Sequence, residues 1–103
     1  MFLPFYERFR APVMERRKRF TLRNKRYGEP GEVVPSTFGP LLILSVVERT
    51  PAWVRDNLWH DEGCTSPEDF TVVWEQIHPR APGWDVPRYL HEFEPVGNLE
   101  AKS

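Results

Sequence analysis

Apolar residues alternate with polar ones in some segments of this chain and recur at helical spacing in others. "RFTLR" at 19–23 sets Phe20 and Leu22 between polar neighbours, the period-two pattern of a half-buried strand. "LLILSVVE" at 41–48 is β-branched and too short for an ordinary helix, so it predicts a strand. "RYLHEFEPV" predicts a closing strand, and Val33–Val34 the start of another. Phe5, Phe9 and Val13 recur every four residues, the mark of a short amphipathic helix, here disturbed by Pro12. Pro51 to His60 is expected to be helical, with Trp53 and Leu58 available for the core. The clearest helix opens at Ser66, which can cap it, with Pro67 at its first position and Glu68 and Asp69 at its positive end. Phe70, Val73, Trp74 and Ile77 follow as one buried stripe. "YGEPGE" and "HPRAPGWDVP" are loops.

Strands open and close this order, with helices between them. The expected class is α+β, mainly β: a small β-barrel or curled sheet with helices packed against it. A doubly wound parallel sheet needs more βα repeats than 103 residues hold. One domain over residues 1–96 accounts for every patterned segment, and the polar stretch 97–103 is expected to be a flexible tail. The composition, 40% hydrophobic and 14% aromatic, can build one compact core. No apolar run approaches the ~20 residues that span a bilayer, and "MFLPFYERFR" lacks the pattern of a secretory leader. Cys64 is the single cysteine, which fits a reducing, cytoplasmic setting.

The net charge of −1 hides an asymmetry. From Glu7 to Arg26 there are nine basic residues and two acidic ones, and the remainder is acidic in balance. Either this basic third meets a phosphate-bearing partner, or it pairs with the acidic remainder inside the fold.

"FYERF", "RRKRFTLRNKRYGEPGEVV", "LLILSVVE", "DEGCTSPEDFTVVWEQIHP" and "YLHEFE", in that order, resemble the ASCH domain of the PUA-like superfamily. The family pattern G-x-K-x-x-T-x-R places its lysine, threonine and arginine at Lys18, Thr21 and Arg23. Gly31–Glu32 match its G-D/E turn, Glu62–Gly63 its acidic segment, and Trp74 with His78–Pro79 its helix end. Arg16 stands where the family has glycine, and Arg19 where it often has threonine. The resemblance implies a PUA-like β-barrel with a cleft. Its functions range from RNA-linked binding and ribonuclease action to small amidohydrolases, one branch cleaving the amide of N4-acetylcytidine with a Lys, Thr and Glu in the roles of Lys18, Thr21 and Glu62.

The chemistry of these residue types is consistent with that role. A threonine hydroxyl needs a base to take its proton. Lys18 could be that base if burial and its arginine neighbours lower its pKa, and Glu62 could orient it or protonate a leaving amine. Amide hydrolysis could then run through an acyl-threonine or through a water held by Lys18 and Glu62. On a strand, Thr21 shares a face with Arg19 and Arg23 but not with Lys18, so Lys18 must sit at the helix-to-strand corner to reach it. The competing reading makes Thr21 an ordinary strand threonine and Lys18 a surface lysine. Arg17, Arg19 and Arg23 are candidates to bind a sugar or phosphate, although Arg23 could equally pair with Glu92 or Glu94. Trp84 is either a base-stacking lid or loop packing. His60, Cys64, His78 and His91 lack zinc spacing, so neither metal nor cofactor is expected. The expected partner is a nucleoside-like small molecule or RNA.

Overall fold

Thr50 and Ser66 each precede a proline, and each opens a helix. Thr50 Oγ1 accepts the Trp53 amide at the head of α2 (Pro51–Leu58), and Ser66 Oγ accepts the Asp69 amide at the head of α3 (Pro67–Ile77). The computed structural model describes residues 1–96; the expected tail 97–103 lies outside the described residues.

The N-terminal helix is shorter and later than its spacing predicts. A 3-10 turn (Glu7–Phe9) leads into α1 (Arg10–Met14), and Phe5 precedes both. Pro12 does not disturb this helix, because it sits in the first turn, where its missing N–H has no partner to lose. The helix ends in a Schellman motif: the Arg16 amide donates to Val13 O (3.1 Å) and the Arg17 amide to Pro12 O (2.8 Å). That geometry needs a left-handed residue, and Arg16 supplies it at φ 64°. A non-glycine residue pays roughly 1–2 kcal/mol there. Arg16 recovers part of this through Pro95 O and Glu94. We expect Arg16→Gly to leave the thermal unfolding midpoint unchanged or raised, and Arg16→Val, whose branched side chain suits φ 64° worst, to destabilise by about 1–2 kcal/mol. Calorimetry of the two variants checks this.

The strands β1 (Phe20–Arg23), β2 (Val33–Val34), β3 (Leu41–Arg49) and β4 (Arg88–Pro95) form one antiparallel sheet, in the order β1-β4-β3-β2. The three long strands expected to share a sheet do so. The sheet curls into a half-barrel and does not close: β1 and β2 remain its two edges among the described residues. The register slips between Ile43 and Ser45, a β-bulge with Leu44 as the extra residue; it sets Ser45 beside Glu92 and turns Val46 to the core with Leu41 and Ile43. Leu3 makes a parallel bridge to Ser36, seating the chain start in the core.

Two apolar clusters hold the layers together. One joins Leu3, Phe9 and Val13 to Leu41, Ile43, Phe93 and Val73, and the other joins Leu22, Leu90 and Val54 to Phe70, Trp74 and Cys64. Trp74 is buried as its stripe predicts. Trp53 and Ile77 are not: they are 40% and 47% exposed. Val54, the next residue along α2, turns inward in place of Trp53, and Ile77 ends α3 at the lip of a cavity. Among the described residues no helix is long and apolar enough to cross a membrane.

Candidate functional site

The Schellman turn at Arg16 directs the next residues inward: the Lys18 amide also donates to Pro12 O, and the Lys18 side chain enters the protein. The turn after α2 comes to meet it. Asp61 O accepts the amides of both Arg19 and Phe20, at 2.7 and 3.1 Å, which docks this turn on the start of β1. Lys18 Nζ then donates to Glu62 Oε1 (2.9 Å), Glu62 O (2.6 Å) and Phe20 O (3.0 Å). The Lys18 and Glu62 side chains are 4% and 7% exposed, so this is a buried ion pair. Phe9 covers the ammonium, its ring centre 4.7 Å from Nζ. Gly63 allows the approach, because it adopts φ 87° and a Cβ there would press on Phe9 and on the Lys18 stem at 3.1–3.2 Å.

Burial lowers the Lys18 pKa from its usual range, and Glu62 opposes that shift. Three acceptors around Nζ match the three N–H bonds of an ammonium. The geometry therefore holds lysine in its charged form, with no lone pair free to take a proton. Glu62 Oε2, by contrast, is buried without a hydrogen-bond partner.

Thr21 is 4% exposed on β1. Its Oγ1 is not bonded to Lys18; it accepts Arg23 Nε at 2.9 Å. The expected Lys18–Thr21 hydrogen bond is thus replaced by a Lys18–Glu62 and a Thr21–Arg23 pair. Neither Glu92 nor Glu94 takes Arg23: Glu92 meets Ser45, and Glu94 meets Arg16.

Lys18, Thr21, Arg23 and Glu62 nevertheless line one cavity of about 340 Å³, between the N-terminal segment, β1 and α3. Its other walls are mostly apolar and aromatic, including Phe5, Phe9, Tyr27, Phe70 and Trp74. That volume lies at the small end of ligand pockets, roughly 300–1,000 Å³.

Arg17 and Arg19 do not line this cavity. Arg17 pairs with Glu15 at the surface, and Arg19 pairs with Asp61 beside a smaller hollow near Glu92 and Glu94. Strand parity sends Arg19 the same way as Thr21, but its position before the first paired residue of β1 lets it turn out toward Asp61. Trp84 is no lid, since it packs against Phe70 and under Arg55 away from the cavity. Cys64 is buried, and desolvation pushes its thiol up to about 11, so it is not a nucleophile. No group of three or more metal-ligating side chains occurs among the described residues.

Sequence reasoning missed the aromatic wall. Phe5 and Tyr27 stood in segments taken for helix and loop, yet both flank the Arg23 guanidinium, at 4.9 and 5.5 Å. Tyr27 is fixed by its amide, which donates to Nε2 of the fully buried His91 on β4 (3.0 Å). Nδ1 of His91 is buried with no well-formed bond, although the Thr21 and Tyr89 backbone lies close enough to favour the charged ring. Burial outweighs that and, with Arg23 and Arg26, lowers the His91 pKa below 6.5. Burial and then Arg88 lower His78 as well. Both imidazoles bind protons more readily in the unfolded chain. Their stabilising contribution is complete above pH 6.5 and is lost as the pH falls below it. Denaturant titrations should show stability declining as the pH falls below 6.5, with the decline reduced in His91→Gln.

No protein-family model and no curated protein matches the chain. The structure is similar to the crystal structure of the hypothetical protein PH0355, with a TM-score of 0.74 at 13% identity, over 92% of this chain and 97% of that one. It is also similar to the solution structure of protein PF0455 from Pyrococcus furiosus, with a TM-score of 0.65 at 15% identity, over 92% and 96% of the two chains. At such identities the likeness is one of fold: this mixed α/β arrangement around a curled sheet recurs in both.

Proposed function

We propose that this chain is a PUA-like domain of the ASCH type that hydrolyses the amide of an acylated amine of nucleoside size, such as an N4-acylated cytidine. The observation that carries the reading is the buried Lys18–Glu62 ion pair in the wall of a small, largely aromatic cavity, with the Thr21 hydroxyl beside it. A buried ion pair gains little stability over apolar packing, so its presence at a cavity favours a chemical role.

Three backbone details support the ASCH resemblance. Arg16 keeps the left-handed conformation that the family glycine would adopt. Gly31 and Gly63, matching the family's turn and acidic segment, both have positive φ.

In this reading a water molecule, not Thr21, attacks the acyl carbon. Thr21 Oγ1 meets a donor, Arg23 Nε, and no base, which is the wrong pairing for a nucleophile. Glu62 Oε2 is the acceptor left free to take a proton from water and return it to the leaving amine. Water adds to the carbonyl, the C–N bond breaks, and a carboxylic acid and a free amine leave. Lys18 acts by holding the Glu62 side chain in place through Oε1. Thr21, accepting from Arg23, keeps its own proton available to hydrogen-bond the carbonyl oxygen as negative charge develops on it.

The alternative, an RNA-binding or ribonuclease module on the basic third, lacks a comparable carrier. Arg8, Arg10, Arg16, Arg17, Arg19 and Arg26 each already sit beside a carboxylate. A panel of acylated cytidines and short RNAs incubated with the protein tests the choice. Release of cytidine and the free acid is expected, with no RNA cleavage. Cleavage or salt-sensitive binding of RNA, with every acylated cytidine left intact, would reverse it.

A further inference from the structure

Among the described residues, Arg23 is the one charged residue of the cavity wall with no carboxylate at ion-pair distance. Lys18, Glu62 and Arg23 are the charged residues lining the cavity, so once Lys18 and Glu62 are paired a single positive charge remains. None of the ion pairs among the described residues includes Arg23. Its Nε and Nη2 are taken by neutral oxygens, Thr21 Oγ1 (2.9 Å) and Pro4 O (2.6 Å). Nη1 makes no well-formed hydrogen bond to the described residues, although the Tyr27 hydroxyl lies close enough to favour the guanidinium. Desolvating a cation is unfavourable, and here burial depresses the Arg23 pKa, with Tyr27 and the more distant Glu62 opposing it only in part.

The neighbours of Arg23 are donors. Arg88 Nη1 donates to Asn24 Oδ1, and Asn24, an exposed residue, also lines the cavity. Arg88 is itself without a carboxylate: its Nη2 goes to Pro82 O, and its guanidinium rests on Trp74. Arg23, with Tyr27 against its guanidinium and Asn24 next to it in the chain, thus gives the cavity wall a stretch of donor-bearing side chains that carries a positive charge.

We infer that this stretch of the cavity wall binds an anionic group of the ligand, a phosphate monoester or a carboxylate, so that the preferred ligand is an anionic small molecule rather than a neutral nucleoside. A tetrahedral phosphate or planar carboxylate accepts from a guanidinium edge and an amide together, and supplies the charge that Arg23 lacks. The choice of nucleoside scaffold rests on the proposed function, but the anion subsite does not require turnover.

Calorimetric titration of the intact protein at low salt with cytidine, cytidine 5′-monophosphate, the 5′-carboxylate of cytidine and inorganic phosphate tests this. At least one charged nucleoside should bind about tenfold tighter than cytidine or better, and the one that does identifies the anion. The gain should vanish in Arg23→Gln and shrink in Asn24→Ala, whose exposed side chain can be removed without threatening the fold. Should the nucleosides fail to bind while inorganic phosphate raises the unfolding temperature of the wild type and not of Arg23→Gln, the subsite stands and the nucleoside reading falls. Charged and neutral nucleosides binding equally, with no phosphate effect, overturn the proposal, as does a gain that survives in both variants.

Discussion

Lys18→Met should destabilise the protein by about 3–5 kcal/mol, whereas Lys18→Met combined with Glu62→Leu should be clearly more stable than the single variant. Removing the lysine alone leaves the Glu62 carboxylate buried, with neither of its oxygens bonded. It also strands the carbonyls of Phe20 and Glu62, which Nζ satisfies. Each loss carries a desolvation penalty that a methionine of similar volume cannot offset. The double variant removes both charges and puts apolar groups among Phe9 and Cys64, so the penalty of the lone buried carboxylate disappears while the two carbonyls stay unpaired, as in the single variant. A loss of this size is a large fraction of a small domain's stability, roughly 5–15 kcal/mol, so the single variant is best followed by urea unfolding at low temperature. Equal stability of the single and double variants would mean that Glu62 finds another partner or is neutral when alone.

On an acylated cytidine that the wild type cleaves, Glu62→Gln should lower kcat by about 10²–10⁴ while the fold survives. Glutamine keeps an oxygen for Lys18 Nζ and loses only the ability to take a proton. Thr21→Val, similar in shape but without the hydroxyl, should also lower kcat, through loss of the bond to the developing oxyanion. KM should change little in Glu62→Gln, because that group acts on the reacting atoms; Thr21→Val also removes the acceptor of Arg23 Nε, so KM should rise there as well. A Glu62→Gln protein that turns over at the wild-type rate would remove glutamate from the reaction. Acyl-protein accumulating in the wild type and absent from Thr21→Val would show instead that Thr21 is the nucleophile.

What could be read from the sequence follows from how local each signal is. The helix cap at Ser66 and the alternation at 19–23 are local patterns, and the elements form where these predict. The half-barrel edge is not local: whether β1 meets β2 depends on sheet curvature, which no stretch of sequence encodes by itself. Arg16 shows the same limit in miniature, since its residue type argues against the left-handed backbone that the α1 terminus imposes. Lys18, Thr21, Arg23 and Glu62 were found because their types and order resembled a family pattern, not because any spacing placed Glu62 beside Lys18. Their convergence comes from one backbone group, Asp61 O, accepting the amides of Arg19 and Phe20 where β1 begins. Arg17 and Arg19 were chosen for their charge, and their partners Glu15 and Asp61 neutralise that charge at the surface. Tyr27 carries no periodic signal, because it is a lone aromatic residue in a loop, and the four-residue spacing of Phe5 points to a helix face, not to a cavity wall.

The most direct test of the account is a crystal structure of Glu62→Gln with an uncleaved N4-acylated cytidine bound. The account predicts the ligand inside the cavity of about 340 Å³, its acyl carbonyl beside Thr21 and the residue-62 carboxamide, and its sugar end toward Arg23 and Asn24. A ligand lying outside that cavity, against the surface arginines at 16–19, or seated with its acyl group away from residue 62, would contradict it.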